Sequence, residues 1–183
     1  MFDPAWTAGC PSCTLHCETL SRLIPHLNSR GTTLVAVSRA PAEKIAEYKT
    51  RMGFTFPWFS SHETSFNEDF RVTLPPDRDD TEYNFTPKAK LIEKGMPWFA
   101  NGEQPGLSTF ILGDKENGIG EDGVVYHAYS TYARGPEPMN PLFAYLDVTK
   151  LGRRDDLTKG KATGTGFRRR DEYSEDELKG IWV

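Results

Sequence analysis

The chain has three cysteines, Cys10, Cys13 and Cys17, and all of them fall within AGCPSCTLHC, residues 8–17. That spacing is open to three chemistries: a dithiol that cycles with a disulfide, a metal site, or a peroxide-reducing thiol. Cys10 stands just before an amphipathic stretch and is expected at a helix N-terminus, with Cys13 one turn inside and Cys17 a turn further on. Free backbone N–H groups and the helix dipole favour a thiolate at the first position, lowering its pKa from about 8.5 toward neutrality or below. Cys10 is thereby the candidate nucleophile. Cys13 is placed to attack a mixed disulfide at Cys10 and release the reduced substrate. Pro11 suits a first helical turn, where its missing N–H is not needed.

The other two chemistries find less support. A structural metal site wants about four ligands, and here one C-x-x-C is followed by Cys17 with no second cysteine pair; His16 is adjacent and His62 distant. Haem attachment fails because Thr14 stands where that motif requires histidine. Thr7, three residues before Cys10, gives a T-x-x-C as in peroxiredoxins, although Pro4 is one residue closer to the cysteine than that pattern wants. Cys17 reads as a small apolar residue on the inner helix face, His16 and His26 as helix-surface residues, and His127 as a packing or hydrogen-bonding residue within a strand.

These residues need elements to position them. Leu15, Leu20, Leu23, Ile24 and Leu27 recur at helical spacing from Cys10 to about Arg30, with a kink expected at Pro25 and a stop at Gly31. An apolar run over residues 32–38 reads as a buried parallel strand. Pro41 opens a second helix, with Ile45, Tyr48 and Met52 on one side and Gly53 at its end. Residues 54–106 read as an irregular insertion: FTFPWFSS has room for a brief extended segment, and the prolines and charges that follow show no clean period. Residues 107–112 and 124–130 read as strands of an antiparallel hairpin with a long polar loop, and MNPLFAYLDV as a last short helix. A domain over residues 1–149 is then followed by a polar tail, 150–183, expected to be loosely held.

Bulk properties narrow the classes. The 183 residues, 37% hydrophobic, suffice for one domain with a core. A formal net charge of −4 gives no positive field for a phosphate backbone, so nucleic acid is not an expected partner. There is no apolar run of bilayer length and no secretory pattern at MFDPAWTAG, so no membrane partner is expected and the cytoplasm is the expected location. Thiols kept reduced there point to redox catalysis or metal binding rather than structural staples. The triplet Asn84-Phe85-Thr86 matches a glycosylation acceptor, and without an export signal it is discounted.

The order is C-x-x-C at a helix start, parallel strand, helix, hairpin, helix, and it resembles the α/β thioredoxin-like fold, a mixed central sheet flanked by helices. With CPSC, VAVSRAP, MGFTFPW, PGLSTF, YHAYSTYARG and YLDVTKLGR, the chain resembles an uncharacterised thioredoxin-like family of unknown function often labelled a predicted dithiol-disulfide isomerase. The resemblance covers about residues 1–155. It implies a thiol-disulfide oxidoreductase with no cofactor, acting on a disulfide-containing protein or small thiol. It also implies a cis-proline facing the dithiol, for which Pro105 is the matching candidate, and it puts Tyr132 or Arg134 near the dithiol or a substrate entrance. Such domains carry a central strand before the C-x-x-C. Only nine residues precede Cys10 here, so the first strand is expected to be truncated, its place taken by a shorter strand or by a neighbouring subunit of a homodimer. A non-catalytic metal-binding or scaffold module is the remaining alternative.

Overall fold

The computed structural model of the protein describes residues 1–154 and 167–179. Helices and short strands alternate, and the chain is of mixed α/β class. Its contacts divide it into two compact units, one of Met1–Asn67 with residues from Pro138 onward, the other of Glu68–Glu137.

In the first unit the expected long helix is two helices, α1 (Pro11–Cys17) and α2 (Leu20–Asn28), separated at Glu18 and Thr19. Pro25 lies inside α2. β1 (Ala36–Ser38) occupies only the end of the apolar run, because Thr32, Thr33 and Val35 remain exposed. Helix α3 (Ala42–Met52) starts after Pro41, and Gly53 ends it in the left-handed conformation at φ 65°, where a Cβ would be strained. Ile45, Tyr48 and Met52 form its buried face, as their 3–4 spacing dictates.

Beyond α3, β2 (Trp58–Ser60) pairs in parallel with β1, Ala36 opposite Trp58 and Ser38 opposite Ser60. The brief extended segment read in FTFPWFSS is thus a strand. Phe2, Ala8, Ala40, Ile45, Tyr48, Met52, Phe54 and Phe56 make the core of this unit, with Cys17, Leu20, Ile24, Ala36 and Trp58 packed against it. Helix α6 (Pro141–Asp147) forms where MNPLFAYLDV predicts it, its first turn capped by the Asn140 side chain, which accepts from the Leu142 N–H at 3.0 Å.

α4 (Phe66–Asp69) lies at the boundary, and the second unit follows. It holds β3 (Thr73–Leu74), β4 (Glu82–Tyr83), β5 (Thr86–Pro87), α5 (Lys88–Glu93), β6 (Gly102–Glu103) and the hairpin of β7 (Gly106–Leu112) with β8 (Val125–Tyr132). The hairpin matches the expected strands closely, from Gly106 opposite Tyr132 to Leu112 opposite Val125, with a register shift at Thr109 and Phe110. Its own small core is Leu74, Tyr83, Leu91 and Ala100.

Three expectations are corrected. Instead of one mixed central sheet, strands among the described residues pair as four two-stranded sheets, β1 with β2, β3 with β6, β4 with β5, and β7 with β8; the strands before β7 are only two or three residues long, too short to extend a ladder. No described peptide bond is cis, so Pro105 is trans, the form an X–Pro bond favours by about 0.5–1 kcal/mol. The third concerns the polar tail. Residues 155–166 lie outside the described residues, but residues 167–179 are structured, with α7 (Glu175–Lys179) and a 3₁₀ turn at Arg170–Glu172. Among the described residues no helix is long and apolar enough to cross a membrane.

Candidate functional site

Cys10 is the residue immediately before α1, with φ −54° and ψ 132°, and Pro11 opens the helix. Its backbone N–H donates to the Met1 carbonyl at 3.0 Å. Its own carbonyl accepts twice from Thr14, from the N–H at 2.9 Å and from Oγ1 at 2.9 Å. α1 is only seven residues long, so groups next to the sulfur, rather than a long helix dipole, act on it.

Those groups separate the two thiols. The Cys13 thiol hydrogen-bonds to the Cys10 sulfur and, with the charge of the Met1 amino group and the backbone N–H groups of Cys13 and Ser12, holds the Cys10 pKa down at about 5 against the opposing effect of burial. The same hydrogen bond, together with burial, pushes Cys13 well above the ordinary thiol range. A pair with interlocked protons titrates as a unit, and here the anion resides on Cys10 and the proton on Cys13. Burial pushes Cys17 up to about 11. It packs against the apolar core, as a small hydrophobic residue would.

A small cavity of about 50 Å³ behind α1 is lined by Cys13, Cys17, Val37, Phe54 and Trp58 among others. Cys13 and Cys17 therefore face the interior of the unit, while Cys10 stands at the helix entrance. All three are free thiols. Among the described residues no group of three or more His, Cys, Asp or Glu side chains is arranged to hold a metal ion. Thr7, the other half of the T-x-x-C, is exposed. Its loop is tied down by Lys44, whose Nζ donates to the carbonyls of Pro4 at 2.6 Å and Trp6 at 3.0 Å.

Around Cys10 is a shell of residues that sequence reading missed. Thr14 is buried, and because its single hydroxyl proton goes to the Cys10 carbonyl, its 2.8 Å contact with Tyr48 must be donated by the Tyr48 hydroxyl. Tyr48 lies against Gly9 so closely that a Cβ there would meet ring atom Cε1 at 2.9 Å. Burial raises the Tyr48 pKa, opposed by its hydrogen bonds with Thr14 and Arg169.

Arg169 comes from the supposedly loose tail. Its Nε and Nη2 both donate to the Gly9 carbonyl, at 3.0 and 2.5 Å, and its Nη1 bonds Glu172 Oε1 at 2.6 Å. Further anchors fix the segment: Arg170 donates to the Met52 carbonyl and lies 3.6 Å from Glu18, and Arg51 pairs with Asp171 at 2.6 Å. In the sequence, FRRRDEYSEDE reads as a charge run on a solvated face. Nothing in its composition reveals that successive arginines have separate acceptors far away in the chain.

The remaining expected site residues belong to the second unit. Tyr83 ties two of their regions together, its hydroxyl donating to the Pro105 carbonyl at 2.6 Å and accepting from the Ala133 N–H at 2.6 Å. Tyr132 packs edge-on against the Tyr83 and Phe85 rings. Arg134 is exposed and paired with Glu137 at 2.7 Å. Each thus has a local structural partner within its own unit. His127 lies in β8 with Nε2 2.7 Å from Ser130 Oγ and its ring against Phe70 and Phe110. His16 packs on Phe143, and His26 is exposed in α2.

The structure therefore defines an α/β protein with a C-x-x-C pair at a helix start, flanked by buried Thr14 and Tyr48 and half-buried Arg169. The chain belongs to a family of bacterial proteins of unknown function (DUF899), whose family model matches residues 1–173. The match takes in both the cysteine cluster and the returning segment up to Tyr173. No curated protein and no solved structure matches the chain.

Proposed function

We propose that the protein is a thiol-disulfide oxidoreductase of thioredoxin-like type that exchanges two electrons with a disulfide-containing protein or small thiol. The observation that carries this reading is the opposite displacement of the two thiols, Cys10 down to about 5 and Cys13 well up, through one shared hydrogen bond. Near neutral pH this leaves a nucleophile beside a thiol that does not compete with it.

The Cys10 thiolate attacks one sulfur of the substrate disulfide, forming a mixed disulfide and expelling the first substrate thiolate, which takes a proton from solvent. Cys10 is then no longer an anion, so the interaction that retained the Cys13 proton is gone. Cys13 gives its proton to solvent, attacks the Cys10 sulfur, and expels the second substrate thiolate. The products are a disulfide between Cys10 and Cys13 and a substrate reduced by two electrons; the reverse sequence oxidises a substrate dithiol.

Titrating the reduced protein against a glutathione redox series tests the reading. An intramolecular disulfide between Cys10 and Cys13, abolished by Cys10→Ser, is expected. Persistent mixed disulfides with glutathione and no internal closure would overturn it.

A further inference from the structure

We infer that Arg169 is a positioning residue of the dithiol site, so that the returning C-terminal segment is a working part of the cysteine motif. The inference rests on the oxidoreductase reading and extends it to a residue 159 positions away from Cys10.

Two paths start at Arg169 and end on either side of Cys10. On one side the guanidinium grips the Gly9 carbonyl through two nitrogens, fixing the peptide that leads into Cys10. On the other side its charge acts on Tyr48, the Tyr48 hydroxyl donates to Thr14 Oγ1, and Thr14 Oγ1 donates to the Cys10 carbonyl. Both peptide planes that flank Cys10 are therefore held by one planar, permanently charged group with donors enough for both.

The consequence is geometric. The Cys10 sulfur receives hydrogen bonds from the Cys13 thiol and from the N–H groups of Ser12 and Cys13, and these stay aligned only while the Cys10 backbone stays in its extended conformation at the head of α1. Glu172, bonded to Arg169 through Nη1 and accepting the Arg169 N–H at 3.0 Å, orients the fork from behind. Lysine could hold one acceptor but not reproduce the fork.

The test reads the rate of Cys10 alkylation by iodoacetamide against pH in the reduced full chain, resolved by peptide mass spectrometry, together with kcat and KM for a peptide disulfide. Arg169→Ala is expected to raise the midpoint by about one pH unit or more, a loss of rate of roughly twofold at about pH 6 that grows to roughly tenfold at about pH 4, and to lower kcat more than it changes KM. Arg169→Lys is expected to recover part of the shift. Arg168→Ala removes the ion pair with Glu177 and the ring contact with Tyr173 in the same segment, and is expected to leave the midpoint at its wild-type value. A midpoint in Arg169→Ala equal to wild type, or an equal shift in Arg168→Ala, would overturn the inference. If circular dichroism shows Arg169→Ala unfolded, Arg169→Gln, which keeps part of the stem and one amide donor, is judged by the same two criteria. The wild-type curve separates the two proposals. An ordinary midpoint there removes the oxidoreductase reading itself, whereas an acidic midpoint indifferent to Arg169 removes only the positioning role.

Discussion

Thr14 and Tyr48 meet through a buried 2.8 Å hydrogen bond that joins α1 to α3, and Thr14 relays it to the Cys10 carbonyl. A buried hydroxyl pair is worth about 1 kcal/mol net, while leaving one partner unsatisfied costs about 1–3 kcal/mol. Tyr48→Phe is therefore expected to lower stability by about 1 kcal/mol, and Thr14→Val by more, because it strands the Tyr48 hydroxyl. Urea unfolding of the two variants gives the order; equal or negligible losses would contradict the relay.

Gly9 is constrained by proximity rather than by its backbone angles. A methyl group there would lie 2.9 Å from Tyr48 Cε1 and 3.5 Å from Thr14 Oγ1, and Tyr48 is held at its hydroxyl, so the ring has little room to yield. Gly9→Ala is expected to cost about 1–3 kcal/mol, the range for overpacking. Tyr48→Leu in the Gly9→Ala background should cost less than the sum of the single changes. Strict additivity in a double-mutant cycle would show that the two residues do not touch.

The two-residue turn between β4 and β5 places both Asn84 and Phe85 at positive φ, 49° and 57°. Asparagine tolerates this and phenylalanine does not, while Asn-Gly is the preferred pair for such a turn. Phe85 is 82% exposed, so little burial offsets the strain. Phe85→Gly is expected to raise stability by up to about 1 kcal/mol in thermal or urea melts. A loss would mean that its ring contact with Tyr132 outweighs the backbone term.

The Cys10 thiol also links stability to pH. Its folded pKa, near 5, lies below the ordinary thiol value of 9.0, so the folded state binds fewer protons than the unfolded chain between those limits. Its contribution to stability is complete above about 9 and is lost as pH falls through 5. Cys13 and Cys17 have raised values, so above about 9 they act the other way and stability declines. The reduced wild type should therefore gain on Cys10→Ser as pH rises from 5 toward 9. A difference between the two that stays flat across this window would contradict the assignment of the anion to Cys10.

The sequence is most legible where local chemistry decides. Cys10 before Pro11, Pro41 and Gly53 around α3, and the alternating strands of the hairpin are set by caps, turns and periodicity. The division at Glu18 and Thr19 escaped because the apolar spacing of Leu15, Leu20 and Ile24 continues across it, whereas β2 falls in FTFPWFSS, where the sequence shows a brief extended segment but, with so few residues, no period to fix its bounds. Arg169 and Tyr48 were invisible as site residues for a different reason. One sat in a charge run and the other on an apolar helix face, and their part in the site exists only once the chain brings Arg169 onto Gly9, 160 positions away. Pro105 in the trans form shows the opposite error, a conformation inferred from order of elements that its own surroundings do not adopt.

The anion of the cysteine pair belongs to Cys10 and its proton to Cys13. Alkylation of the reduced chain across pH 4–10, with the two cysteines resolved by peptide mass spectrometry, measures this directly. The account predicts a Cys10 rate with a midpoint near 5 and a Cys13 that stays unreactive throughout the neutral range. Two superimposed curves, both rising near pH 9, would contradict it.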